Sequence, residues 1–172
     1  MIKITIITVT LNSQETIRDS LNSILSQNYQ NIEHIIVDGG STDKTKNILK
    51  RYPNKNKKVY TLNNSGIYKA INYGIKRSSG DFITILNSDD FYQSNNTISN
   101  VVNQINENKE TKVFFGNIVY FKKLQYYHIT RFYGTANFKV SQMKYGLMPP
   151  HPATFIKKEI YQQNNLYNED FT

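Results

Sequence analysis

Lys3-Ile4-Thr5-Ile6-Ile7-Thr8-Val9 is β-branched and almost unbroken in its apolar character. Half-buried strands alternate apolar and polar residues, whereas a run like this belongs to a strand covered on both faces. The helical period follows at once. Ile17, Leu21, Ile24 and Leu25 fall at i, i+4, i+7 and i+8, one apolar stripe, and Asn12 with Glu15 three residues on has the form of a capping box. His34 to Val37 is a second buried strand, closed by Asp38-Gly39-Gly40. A second helix follows, with Ser41 or Asp43 as its cap, the stripe Ile48, Leu49 and Tyr52, and a stop at Pro53.

The alternation continues. Val59 to Leu62 is a third strand, and Ile67, Ala70, Ile71 and Ile75 mark a third helix. Asp81 to Leu86 is a fourth strand that runs into Asn87-Ser88-Asp89-Asp90, and Ile98, Val101, Val102 and Ile105 give a fourth helix. Four strand–helix alternations predict an α/β fold, a mostly parallel sheet flanked by helices, with ligands bound at the carboxyl ends of the strands. After Thr111 the language changes to that of a hairpin: Lys112 to Phe121 and Gln125 to Phe132 read as strands, with Tyr126, Tyr127 and Tyr133 as hairpin core and edge. Ala153 to Ile156 reads as a short strand and Lys157 to Gln163 as a helix. The expectation is one domain over 1–172, a ligand-binding half at 1–110 and a mixed, antiparallel half at 111–172.

Composition excludes several classes. The chain has 172 residues, enough for a core without staples, and no cysteine, so disulfides, thiolate metal sites and a cysteine nucleophile are ruled out. No apolar run reaches the length of a membrane span. The formal charge is +8, from 21 Lys+Arg against 13 Asp+Glu, and no nucleic-acid motif accompanies it. A lysine-rich solvated surface accounts for most of that charge, and a cytoplasmic location is expected. Met143, Tyr145, Leu147 and Met148, beside Lys139 and Lys144, read either as ordinary core, the plainer reading, or as a peripheral contact with a membrane surface.

Three polar segments fall where strands end: Thr8 to Ser13, Asp38 to Asp43, and Asn87 to Asp90. In a parallel sheet these share one rim. Asp38-Gly39-Gly40-Ser41 reads equally well as turn chemistry, and Asp89-Asp90 as a helix entry. Their joint occurrence favours a site. Adjacent carboxylates repel, and a divalent cation relieves this; oxygen ligands without cysteine indicate Mg²⁺ or Mn²⁺, which bridge to substrate phosphates. No glycine-rich phosphate loop competes for that role.

These segments resemble glycosyltransferase family 2. The resemblance runs in order through Ile4 to Gln27, Val37 to Thr45, Gly66 to Ile75, Ser79 to Ile83 and Leu86 to Asp90. Pro150-His151-Pro152-Ala153-Thr154-Phe155 is similar to bacterial members that build surface polysaccharides. The resemblance implies a GT-A fold and an inverting transfer from a nucleotide-diphosphate sugar, commonly a UDP-sugar, with Mg²⁺ or Mn²⁺, to a saccharide or lipid-linked acceptor. Carried over by position, Asp38 contacts the base, Thr8, Thr10 and Asn12 line the nucleotide pocket, and Ser88 and Asp89 face the donor. Asp89 and Asp90 are the metal ligands, and His151 is a further donor contact or a structural loop histidine. Asn87 stands where the family's Asp-x-Asp motif has its first Asp, and Leu11 where many members have an aromatic.

An inverting transfer also needs a general base within ~3 Å of the acceptor hydroxyl. Beyond Asp90 the acids are Glu107, Glu110, Glu159, Glu169 and Asp170. The expectation is a base carried past Thr172 on a longer chain, the alternative being Asp170. Without a base the same chain is a nucleotide-sugar binding module. A nucleotidyltransferase of similar build needs a glycine- and basic-rich loop after the first strand, and Thr10-Leu11-Asn12-Ser13 is not one.

Overall fold

The computed structural model describes residues 1–122 and 125–170. The side chains of Tyr126 and Tyr127, read above as hairpin residues, lie outside the described set. The order is β1 (Ile4–Thr10), α1 (Ile17–Leu25), β2 (Ile32–Asp38), α2 (Thr45–Arg51), β3 (Lys57–Thr61), α3 (Ile67–Arg77), β4 (Phe82–Ile85) and α4 (Thr97–Glu107). Then come β5 (Val113–Phe115), β6 (Ile118–Lys122), β7 (Gln125–Tyr133), β8 (Thr154–Lys157) and α5 (Lys158–Gln163), with 3₁₀ turns at Val140–Tyr145 and His151–Ala153.

The main sheet has the strand order β3-β2-β1-β4-β8-β5. β1 pairs in parallel with β2 and β4, and β2 with β3, so four strands end on one rim. β8 is antiparallel to both β4 and β5 and joins them. All seven residues of β1 and of β2 are buried, as continuous apolar runs require when helices cover both faces. On one face Ile17, Leu21, Ile36, Ile48, Leu49 and Tyr52 bring α1 and α2 onto the sheet. On the other, Ile7, Val9, Ile35 and Val37 meet Ala70, Ile71 and Ile75 of α3. Gly74 makes that second contact possible: a Cβ there would stand 2.7 Å from Ile7 Cγ2.

Several expectations need correcting. The Asn12–Glu15 capping box does not form, because α1 starts at Ile17 and Asn12 turns its side chain to the β2–α2 loop. Leu25 and Ile67 sit on predicted apolar stripes but are exposed, so those helices bury narrower faces than the period suggested. Lys112 to Phe121 is not one strand. It breaks at Gly116-Asn117, leaving β5 in the main sheet and sending β6 into a separate two-stranded sheet with β7. Met143, Tyr145, Leu147 and Met148 are exposed rather than core.

The rim opposite the site is fixed by one buried carboxylate. Glu33 accepts from Thr5 Oγ1 at 2.7 Å, from Ser79 N and Oγ at 2.7 and 2.8 Å, and from Lys58 Nζ at 2.7 Å. Burial works against the charged form, but these donors together hold the Glu33 pKa at about 2.

Candidate active site

The carboxyl ends of β1 and β2 are in register, Thr10 beside Asp38, and Gly39 N donates to Thr10 O at 2.8 Å. The chain after β2 must turn sharply. Asp38 is buried and its carboxylate accepts from Ser41 Oγ and, at 3.1 Å, from Ser41 N, which closes an Asx turn. Gly40 has φ +100°, and a Cβ there would stand 2.6 Å from Asn63 Oδ1. Only glycine fits that corner between the loops after β2 and β3.

Asn12 ties this turn to β1. It adopts the left-handed conformation at φ 51°, its N–H donates to Ser41 Oγ at 2.9 Å, and its Oδ1 accepts from Thr42 N at 2.8 Å. Ser41 Oγ therefore accepts from Asn12 and donates to Asp38, a relay that aims the carboxylate. Neither Ser41 nor Asp43 is the N-cap of α2, which is Lys44; Asp43 stands just before it, its Oδ1 accepting from Thr45 N at 2.9 Å and its Oδ2 from Gln14 N at 3.0 Å.

The segment after β4 joins through serines. Ser13 Oγ lies 2.8 Å from Ser88 Oγ, and Ser20 Oγ donates to Asn87 O at 3.2 Å. The three polar segments thus meet on one rim, as the parallel sheet predicts. Ser88 is buried, Asp89 is exposed and Asp90 is partly buried. Burial, and then the charge of Asp89, push the Asp90 carboxyl up to about 6.

Among the described residues no three His, Cys, Asp or Glu side chains cluster as a metal cage. The adjacent pair still fits Mg²⁺ or Mn²⁺, which are held by one or two carboxylates with substrate phosphates and water as the other ligands. The electrostatic strain recorded at Asp90 is what a cation between the two carboxylates would relieve.

Not every expected residue reaches the rim. Thr8 departs from its expected place in the pocket: it is fully buried, and its hydroxyl lies 3.0 Å from His34 Nε2 inside the sheet layer. Thr10 is buried at the strand end with an unpartnered Oγ1, beside Asp38. Leu11 is exposed at the same turn.

His151 and Asp170 stand apart from this cluster. His151 Nε2 lies 2.8 Å from Tyr167 Oη, and Tyr167 stacks on Tyr68 at 5.8 Å between ring centroids. Asp170 is exposed, its N–H on Asn168 Oδ1 at 3.0 Å. A clamp that sequence reading missed holds this end. Buried Asn72 donates through Nδ2 to Tyr167 O at 2.8 Å and Glu169 Oε1 at 3.0 Å, and accepts from Tyr167 N at 3.1 Å. The available signal was an amide one turn after Tyr68 on the buried side of α3. Ser41 was likewise read as a cap and is the residue that positions Asp38.

A cleft of about 1240 Å³ opens beside Asp90, between α4 and the β6–β7 hairpin, lined mainly by Phe91, Phe115, Phe121, Tyr133, Met148 and His151.

Comparison with known proteins agrees with this fold. The family model described as Glycosyl transferase family 2 matches residues 5–165. A glycosyltransferase of Haemophilus influenzae without assigned activity is 42% identical over 91 residues, which are 51% of this chain and 36% of that protein. Glycosyltransferase GlyG of Streptococcus pneumoniae is 35% identical over 117 residues, 66% of this chain and 38% of the relative. The crystal structure of S. aureus TarS 1-349 in complex with UDP-GlcNAc superposes with a TM-score of 0.75 at 26% identity, over 96% of this chain and 48% of that one. A mannosyltransferase of Pyrobaculum calidifontis, solved with GDP-Man and Mn²⁺, shares the fold with a TM-score of 0.70 at 18% identity, over 98% of this chain and 48% of that one. The chain spans little more than a third of these curated relatives and about half of the solved chains.

Proposed function

The chain belongs to glycosyl transferase family 2, and from that premise we propose that it binds a nucleotide-diphosphate sugar and serves its inverting transfer to a saccharide or lipid-linked acceptor in the building of cell-surface polysaccharide. The observation that carries this reading is the convergence of Asp38 and the Asp89-Asp90 pair on one rim, joined by the Ser13–Ser88 contact. The UDP and UDP-GlcNAc complexes of TarS support a uridine donor.

In this reading Asp38, aimed by Ser41, accepts a hydrogen bond from the base, and Thr10 and Asn12 border the nucleoside. The free Thr10 Oγ1 is a buried polar atom without a protein partner, which a ligand at the rim satisfies. Ser88 and Asp89 face the diphosphate, Asp89 as first metal ligand and Asp90 as second. A bound Mg²⁺ or Mn²⁺ supplies Lewis-acid stabilisation of charge growing on the leaving diphosphate. Preorganisation is the protein's contribution: each side chain hangs from a strand end or a turn closed by its own hydrogen bonds. His151, on the Tyr167–Tyr68 stack, borders the cleft beside Asp90 and offers an imidazole to a donor or acceptor oxygen.

Asp170 is the carboxylate that the Asn72-anchored segment offers as general base. Its exposure favours a second reading, in which this chain binds the donor without turnover. Release of UDP from UDP-sugars with Mn²⁺ separates the two. Release abolished by Asp170→Asn supports the base role. UDP binding without release supports the binding module. A folded chain that does neither overturns both.

A further inference from the structure

The charge of this protein is concentrated in one stretch. Residues 111–158 contain eight Lys and Arg and no Asp or Glu, whereas the rest of the chain balances thirteen of each sign. The whole formal charge of +8 therefore sits on the segment that leaves the parallel sheet, makes the hairpin and returns as β8. Lys112 and Lys157 are tied to Glu159 at 2.9 and 3.3 Å, while Lys122, Arg131, Lys139 and Lys144 are exposed.

The same stretch holds the largest group of exposed apolar side chains among the described residues. Val140 is 76% exposed, Tyr145 85% and Met148 54%, with Met143 and Leu147 also exposed, all on or directly after the 3₁₀ turn Val140–Tyr145. Lys139 and Lys144 stand within this group, and Gly146, at φ 79°, ends the turn. Apolar side chains interleaved with lysines, with an aromatic among them, are what a segment needs to lie in the headgroup layer of an anionic bilayer. No helix among the described residues is long and apolar enough to cross a membrane, so such contact is peripheral.

We propose that residues 139–148 dock this protein on an anionic lipid surface, Val140, Met143, Tyr145, Leu147 and Met148 entering the headgroup layer while Lys139 and Lys144 meet lipid phosphates. The charge asymmetry selects this occupant: a second copy would bring its own Lys139 and Lys144 and the same cationic stretch toward this face, whereas an anionic bilayer complements it. Leu147 and Met148 also line the cleft that reaches Asp90, so the docked face opens toward the candidate site. Docking itself is independent of the glycosyl-transfer reading, and only delivery of a lipid-linked acceptor through that cleft rests on it.

Flotation of the full chain with vesicles tests this. The protein should float with mixed phosphatidylglycerol–phosphatidylcholine vesicles, not with pure phosphatidylcholine, and should be released by high salt. Replacing both lysines, Lys139→Ser with Lys144→Ser, should lower affinity about tenfold or more, from the contribution each cation makes near an anionic surface. Val140→Ser with Tyr145→Ser should also weaken it, and since both side chains are exposed the thermal midpoint and UDP binding should stay unchanged. Absence of flotation, equal flotation with neutral vesicles, or flotation indifferent to both double variants overturns the proposal. So does self-association of the wild type that the Val140–Tyr145 variant abolishes while anionic vesicles go unbound.

Discussion

Ser13 Oγ and Ser88 Oγ, 75 residues apart in sequence, stand 2.8 Å apart and join the turn after β1 to the acidic motif after β4. With Asn12 bonded to Ser41 and Ser41 to Asp38, the contact completes a chain of short polar links across three strand ends. The Asp38 turn and the Asp89-Asp90 segment are thereby held at a fixed separation.

Ser41→Ala should weaken UDP binding by about tenfold, the scale of one lost hydrogen bond to a charged group. Asp38 would lose its aim. Titration calorimetry checks this, and the loss should be the same with and without Mn²⁺ if Asp38 contacts the base as proposed.

Asp89→Asn should weaken Mn²⁺-dependent UDP binding by at least about tenfold. Because Asp89 is exposed, the thermal midpoint should move little. An affinity equal to wild type would remove Asp89 from the metal site.

His34 makes stability fall as pH drops below neutrality, and Asp90, its carboxyl raised to about 6, opposes that fall between about pH 6 and 4. Burial, and then the charge of Lys57, lower the His34 pKa from 6.5 to about 3. The unfolded chain takes up the proton below about pH 6.5 while the native state does not, so this stabilisation is complete above that pH and lost on acidification toward 3, at ~1.4 kcal/mol per unit. Glu33, depressed to about 2, adds the same sign of dependence below about pH 4.5. Denaturant titrations at several pH values should show His34→Gln losing less stability, relative to its own value at pH 7, than the wild type does between 6.5 and 4.5.

Asn72→Ala should destabilise the protein by about 1–3 kcal/mol, since it strands the Tyr167 N–H and frees the segment around Glu169. Limited proteolysis should then cut first within residues 164–170. Cleavage no faster than in wild type would mean that the Tyr68–Tyr167 stack holds this end by itself.

The β-branched runs at Ile4–Thr10 and Ile32–Asp38 made the parallel sheet legible, because burial on both faces leaves no polar alternation to disguise a strand. The rim followed from topology: strands that run parallel bring their ends together whatever separates them in sequence. Less legible was anything set by a side chain choosing a distant partner. Asn12 reads as a helix cap until Thr42 and Ser41 are seen beside it, and Thr8 reads as a pocket residue until His34 is seen to take its hydroxyl. The break at Gly116-Asn117 was hidden for a similar reason, since an apolar run does not say which of two sheets each half will join.

The central claim is that this rim binds a nucleoside diphosphate through Asp38 on one side and a metal held by Asp89 on the other. Calorimetric titration of the 172-residue chain with UDP, with and without Mn²⁺, tests it most directly. The account predicts one site per chain and tighter binding when Mn²⁺ is present. A folded chain that binds no UDP in either condition would contradict it.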